Sequence, residues 1–214
     1  MAAVKTKAKT TKPTRREQAA RTRLRMLDAA YGLFCELGFR ATKMEAIAER
    51  AGVAVQTLYF TFHTKDELIQ AVHERTVLGD DPVAPPMQQW YQEVMAEPDV
   101  GRAVHLLVTG IATILARVAP MVPAFLAVAG DPAGDVWRHG ERLRLRGMGE
   151  IVDGLARKAR LRRGLSRDRA ADVLYVLVGP DLYRTIVLER GWTTAQWAAW
   201  IERSILAELF NLTP

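Results

Sequence analysis

A single cysteine in 214 residues rules out an intramolecular disulfide and any cysteine-based metal cluster. That residue, Cys35, falls on a helical pattern among Tyr31, Phe34 and Leu37, so it is expected as a small buried hydrophobe. The four histidines (His63, His73, His105 and His139) show no metal-ligand spacing such as HExxH, and neither a GxSxG elbow nor a Walker loop occurs. No catalysis, metal or cofactor is therefore expected. Long apolar runs are also scarce. The most apolar region, Leu106 to Ala116, is interrupted by Arg117 and Pro120, well short of the ~20 residues that cross a bilayer. The basic N-terminus is not followed by an apolar stretch with a cleavage site, so a cytoplasmic protein without a membrane partner is expected. Strand-like alternation and internal repeats are absent from the pattern.

What is present is ordinary globular material with an uneven charge. Hydrophobic residues make up 49% and charged residues 25%, enough for a real core. The net charge is +6, but residues 1–25 carry nine basic side chains (Lys5, Lys7, Lys9, Lys12, Arg15, Arg16, Arg21, Arg23 and Arg25) against Glu17 alone. The rest of the chain is therefore slightly acidic. A cationic patch confined to one end is the footprint expected of a phosphate-binding surface.

Next to that end lies residues 42–68, TKMEAIAERAGVAVQTLYFTFHTKDEL. Thr42 and Glu45 have the spacing of a capping box and open a helix with Met44, Ile47, Ala48 and Ala51 on one face. Gly52 ends it, because a helix stop favours positive φ. A second short helix from Val53 carries Leu58 and Phe62 toward the first, and Thr64 with Glu67 forms another capping box that opens a third helix. Helices this short persist only when packed on neighbours. The second one leaves Val55, Gln56, Thr57, Tyr59 and Thr61 outward, with Lys65 just beyond. Small, polar and aromatic side chains on a protruding helix suit a DNA major groove. An ordinary helical hairpin fits the same spacing.

The pattern AxxAGVxxxTLYxxFxxKxEL, here Ala48 to Leu68, together with GFRATKMEAIAERAGV before it, resembles the DNA-binding domain of the TetR family of bacterial repressors. A second stretch, GPDLYRTIVLERGWTTAQWAAWI (179–201), resembles the C-terminal helices of many members. One position departs: Ala54 stands where the family usually has Ser or Thr, which removes a favoured N-cap and a possible phosphate contact.

The resemblance implies an all-α fold with an N-terminal three-helix helix-turn-helix domain and a C-terminal helical ligand-binding and dimerisation domain. The expected division is a disordered basic arm (1–14), a DNA-binding domain (15–78), a linker at the breaker GDDPVAPP (79–86) and an effector-binding and dimerisation domain (87–214). The arm is either a solubilising tail or a phosphate or minor-groove contact. Residues 16–37 form the supporting helix, with Leu24, Leu27, Tyr31 and Phe34 on one stripe and Gly38 as its stop. Expected DNA contacts are Val55, Gln56, Thr57, Tyr59 and Thr61, with Thr42 and Lys65 on backbone phosphates.

In the C-terminal part the expected effector-pocket residues are Trp90, Leu107, Ile111, Phe125, Trp137, Met148 and Tyr183, a mainly apolar set with few polar anchors. The two last helices, Ser166 to Glu189 and Thr193 onward, are more apolar than a monomer needs. Leu174, Leu177, Val178, Trp197, Trp200, Ile201 and Ile205 are expected to meet a second copy, unless they only close the monomer core. Pro180 inside the first of these helices should kink it and leave a carbonyl near Val176 without its partner. The functional expectation is a dimeric repressor released from a near-palindromic double-stranded DNA operator by a small-molecule effector. Alternatives are an activator, a ligand-independent repressor, or a helical enzyme or carrier in which the motif is incidental.

Overall fold

Thr14 opens the first helix by a reciprocal capping box: its hydroxyl accepts from the Glu17 N–H while the Glu17 carboxylate accepts from the Thr14 N–H. The computed structural model describes residues 14–79, 83–127 and 132–212. The expected arm, 1–14, lies outside them except for Thr14.

Helix α1 (Arg15–Ala41) bends at Gly38, whose φ of 77° and ψ of 164° are open to glycine alone. The bend turns Phe39 back into the core against Phe34, ring centroids 5.5 Å apart. It also frees carbonyls of the preceding turn, and the Thr42 hydroxyl donates to two of them, Leu33 O (3.2 Å) and Gly38 O (2.8 Å). The expected Thr42–Glu45 capping box is therefore not formed. Helix α2 (Met44–Ala51) starts after Lys43, with no side-chain cap. Gly52, at φ 65°, closes it, its N–H returning to the carbonyls of Ala48 and Glu49. Helix α3 (Val55–Phe62) follows, and Thr64 caps helix α4 (Lys65–Leu78) by accepting from the Glu67 N–H.

Beyond the linker come α5 (Gln89–Ala96), α6 (Val100–Val118), α7 (Val122–Leu126), α8 (Pro132–Ala156), α9 (Arg167–Leu177), α10 (Pro180–Tyr183) and α11 (Thr194–Phe210). The Gln88 amide donates to the carbonyls of Leu78 and Val83, tying the linker to the end of α4. Helix α6 crosses α5 where Gly110 lies under the Trp90 indole. The apolar run is longer than the sequence suggested: a short 3₁₀ turn carries it through Pro120, so Val100–Leu126 is long and apolar enough to cross a membrane by length and composition. Here it is a core element, with 56% of its most apolar window buried within the chain, and α6 packs on α5, α11 and α4.

Two packed cores result. One joins α1–α4 through Met26, Phe34, Ile47, Leu58, Phe62 and Ile69, and extends across the linker to Met121, Phe125 and Trp137. The other gathers Leu107, Ile111, Leu155, Leu174, Trp197 and Ile205 from α6, α8, α9 and α11.

Three local expectations are corrected. Cys35 is exposed, because α1 turns Leu33 and Phe34 inward and leaves its neighbour on the outer side. Leu24, on the same helix, is also exposed. The helix expected from Ser166 to Glu189 is broken at Val178–Gly179. Pro180 then stands at the first position of α10, where a missing N–H costs nothing, and Val176 O accepts from the Gly179 N–H at 3.1 Å. Residues Arg184–Glu189 continue as a π-helical turn. Thr193 and Gln196 form a reciprocal capping box at the head of α11.

Candidate nucleic-acid interface

The reader is built from the inside out. On α3, Leu58 is fully buried and Phe62 is 2% exposed, and both anchor the helix in the first core. The Arg23 guanidinium lies over the outer face of the Phe62 ring, 4.4 Å from its centroid. Val53 N–H bonds Ala48 O across the turn at 3.0 Å, fixing the angle between the two helices. Ala54 makes no side-chain cap, as its lack of a hydroxyl dictates. Arg50 pins α2 to α1 through a two-pronged bond to the Glu36 carboxylate, 2.7 and 2.8 Å, and this pairing holds the carboxyl below its usual range.

With those contacts fixed, the opposite side of α3 is free. Gln56, Thr57 and Tyr59 are exposed, and Val55 and Thr61 are half-buried. The Thr61 hydroxyl donates back to Thr57 O at 2.8 Å, so its remaining capacity is as an acceptor. Sequence reasoning missed Phe60, 84% exposed. The signal was available: at 100° per residue, position 60 lies about 160° from both Leu58 and Phe62. It also missed Lys43, exposed at the head of α2. His63 ends α3 with φ 48°, an uncommon conformation for a residue with a Cβ, as the chain reverses into α4. Arg15, Arg16, Arg21, Arg23 and Arg25 are exposed along the first half of α1.

One expected phosphate contact is corrected, and a second has other partners. Thr42 is 1% exposed and its hydroxyl is engaged by the carbonyls of α1. The Lys65 ammonium donates to Phe39 O (2.9 Å) and Thr42 O (3.0 Å) and lies over the Phe39 ring, 4.4 Å from the centroid. Burial at this place pushes its pKa down, with Asp66 opposing. Lys65 thus ties the head of α4 to the turn between α1 and α2.

The seven residues expected around an effector do not line one chamber. Phe125 and Trp137 stack on each other (5.1 Å, 15°) within the first core, whereas Leu107, Ile111, Met148 and Tyr183 pack in the second and Trp90 covers Gly110. Large apolar residues at helical spacing filled the core, which is their commoner fate. A cleft of about 220 Å³ lies elsewhere, between α1, α4 and α6, and includes Asp28, Tyr31, Arg75 and Arg117 but none of those seven. There Asp28 pairs with Arg75 at 3.1 Å, Arg117 Nε donates to Thr76 O at 2.9 Å, and the Tyr31 hydroxyl donates to Arg117 O. Burial pushes the Tyr31 phenol up to about 12.

Most of the expected subunit-contact residues are corrected as well. Leu174, Val178, Trp197, Ile201 and Ile205 are at most 1% exposed within the single chain, so they close its own core. Leu177 and Trp200 remain half-buried. Val176 (61%), Leu188 (49%) and Trp192 (40%) are exposed, with Trp192 edge-on to Trp200.

Residues 26–72 match the family described as bacterial regulatory proteins, tetR family. The chain is 42% identical over 55 residues to the HTH-type transcriptional regulator UidR of Escherichia coli K12, an alignment that covers 26% of this chain and only 28% of that relative. In three dimensions it is similar to NalD, the secondary repressor of the MexAB-OprM multidrug efflux pump in Pseudomonas aeruginosa (TM-score 0.68, 20% identity, 91% of this chain and 98% of that one). It is also similar to the SmeT–triclosan complex (TM-score 0.69, 24% identity, 88% and 91%). At these identities the solved structures speak for the all-helical fold.

Proposed function

We propose that the chain, whose residues 26–72 match the tetR family of bacterial regulatory proteins, is a sequence-specific transcriptional regulator: a dimeric repressor that leaves a near-palindromic operator when a small molecule binds. The observation that carries the reading is the outward face of α3. Gln56, Thr57 and Tyr59 are held out by a helix whose other side is locked into the core, on a domain with an arginine-rich first helix. Gln56 can pair in two places with an adenine edge, Thr57 and Tyr59 can reach bases or phosphates, and Val55 can touch a thymine methyl. The exposed arginines of α1 supply charge without sequence information.

Residues 15–78 form the reader, 79–86 the linker and 87–214 the part that dimerises and takes the effector. The exposed apolar side chains Val176, Leu188 and Trp192, the last of them against Trp200, support a two-fold contact. Such a pair sets two readers ~34 Å apart, on successive major grooves of one face of the duplex. NalD and SmeT are repressors, and SmeT binds triclosan, which supports repression and an effector here too. A 100-fold preference of the effector for the non-binding state corresponds to ~2.7 kcal/mol, within the usual coupling range.

The test is selection of bound duplexes from a random pool, followed by gel shift. An enriched inverted repeat bound by the wild type and weakened by Tyr59→Ala, with the variant's melting unchanged, is the expected result. Failure to enrich any sequence, or a folded Tyr59→Ala that binds normally, overturns the reader face.

A further inference from the structure

Phe60 is the most exposed large apolar side chain of the chain's described residues, at 84%, and it sits on the helix that has most reason to be polar. It plays no part in either core. Its place on α3 is diametrically opposite the Leu58–Phe62 anchor, so it marks the crest of the outward face, one turn after Gln56 and Thr57. A benzyl side chain offers neither donor nor acceptor, so it cannot hold a phosphate or pair with a polar base edge. The apolar group that the major groove presents is the 5-methyl of thymine.

We propose that Phe60 is a specificity-determining residue that selects thymine at one position of each half-site by packing on its 5-methyl group. The inference rests on α3 being the DNA reader. It adds a hydrophobic element to the polar readout of Gln56: the crest residue excludes water from the methyl, while the amide beside it reads a neighbouring base. Two other uses of an exposed phenylalanine make different predictions. A wedge inserted between base steps bends the duplex and is indifferent to the methyl. A contact with deoxyribose weakens all sequences alike.

The experiment uses the full-length protein and the duplex that the wild type itself enriches from a random pool. Each half-site thymine is replaced in turn by deoxyuridine, which deletes only the methyl. At one position this should weaken wild-type binding about fourfold per half-site, the worth of one buried methyl-sized group. The same replacement should leave Phe60→Ala binding unchanged within error, and Phe60→Ala should bind random-sequence duplex as the wild type does. Phe60 touches no core, so the variant's melting midpoint should match the wild type and show that the fold is intact. Deoxyuridine costs that are equal in the wild type and in Phe60→Ala overturn the assignment, as does a Phe60→Ala loss shared by random duplex. If the wild type enriches no duplex at all, the reader premise itself has failed and this proposal with it. An enriched site with methyl-independent Phe60 leaves the reader standing and removes the proposal alone.

Discussion

The imidazole of His73 stands edge-on to the indole of Trp137, centroids 6.0 Å apart and planes at 80°, and edge-on also to Phe125 at 5.1 Å. This cluster joins α4, which leaves the reader, to α7 and α8. It is tight on its far side: a Cβ at Gly140 would lie 2.8 Å from the His73 ring. Burial among rings pushes the His73 pKa down, while Glu141 on α8 opposes the shift. The folded state therefore prefers neutral imidazole, and the unfolded chain takes up the proton first. The resulting stability is complete above the ordinary histidine value of about 6.5 and is lost as pH falls through the lower folded value. Thermal melting of the wild type against His73→Phe should show this directly. The difference between their midpoints should shift in favour of the variant as pH goes from 7 to 5. A difference that stays constant across that range disproves the buried neutral histidine.

Lys65 separates two roles that the sequence could not. With its ammonium on Phe39 O and Thr42 O, Lys65→Met leaves two carbonyls without their donor and should cost about 1–3 kcal/mol in urea unfolding. The dependence of operator affinity on salt should keep its slope. A residue that neutralises a phosphate behaves the other way: its removal lowers the slope by about one and barely touches stability.

The same position shows what a sequence makes legible. Local rules worked where the decisive partners are close in the chain. Gly52 closes α2, Ala54 fails to cap α3, Thr193 with Gln196 heads α11, and the anchor pair Leu58 and Phe62 defines which side of the reader is free. They failed where a distant event decides. Thr42-x-x-Glu45 has the letters of a capping box, but the helix starts one residue later, after Lys43, and the Thr42 hydroxyl donates to carbonyls of α1 instead. Trp197, Ile201, Ile205 and Leu209, four apart, form one apolar face. Periodicity names a face but not its occupant, and the occupant is α6 of the same chain. The effector residues failed for the same reason, since large apolar side chains on helices serve a core as well as a cavity. Phe60 lies outside the positions the family pattern fixes, although the turn angle alone puts it at the crest.

Gly110 is a packing constraint of another kind. A Cβ there would lie 2.5 Å from Trp90 Cδ2 and Cε3, and the indole is held in place by its N–H bond to Gln88 Oε1 at 2.7 Å. Alanine usually strengthens a helix by up to ~1 kcal/mol over glycine. Here Gly110→Ala should instead destabilise by about 1–3 kcal/mol, because the ring must leave its seat between α5 and α6. Gly147 on α8, which has open space where a Cβ would go, is the control: Gly147→Ala should be neutral or stabilising. Denaturant midpoints of the two variants, set against the wild type, decide the matter by their opposite signs.

The subunit contact can be tested by choosing residues from the two sides of α9 and α11. Val176 lies outward, so Val176→Glu should leave the melting of the single chain's fold near that of the wild type. It puts a charge into the proposed contact from each subunit, and sedimentation should show monomer where the wild type shows dimer. Operator affinity should fall with it, because two tethered readers gain from effective concentration and a lone reader does not. Trp197→Ala does the opposite. Its indole is fully buried against Tyr183, 5.0 Å between centroids, so the loss should appear as about 3–5 kcal/mol of unfolding free energy. If Val176→Glu remains dimeric while Trp197→Ala folds normally but dissociates, the inward stripe is the subunit contact after all, and the outer strip has another partner.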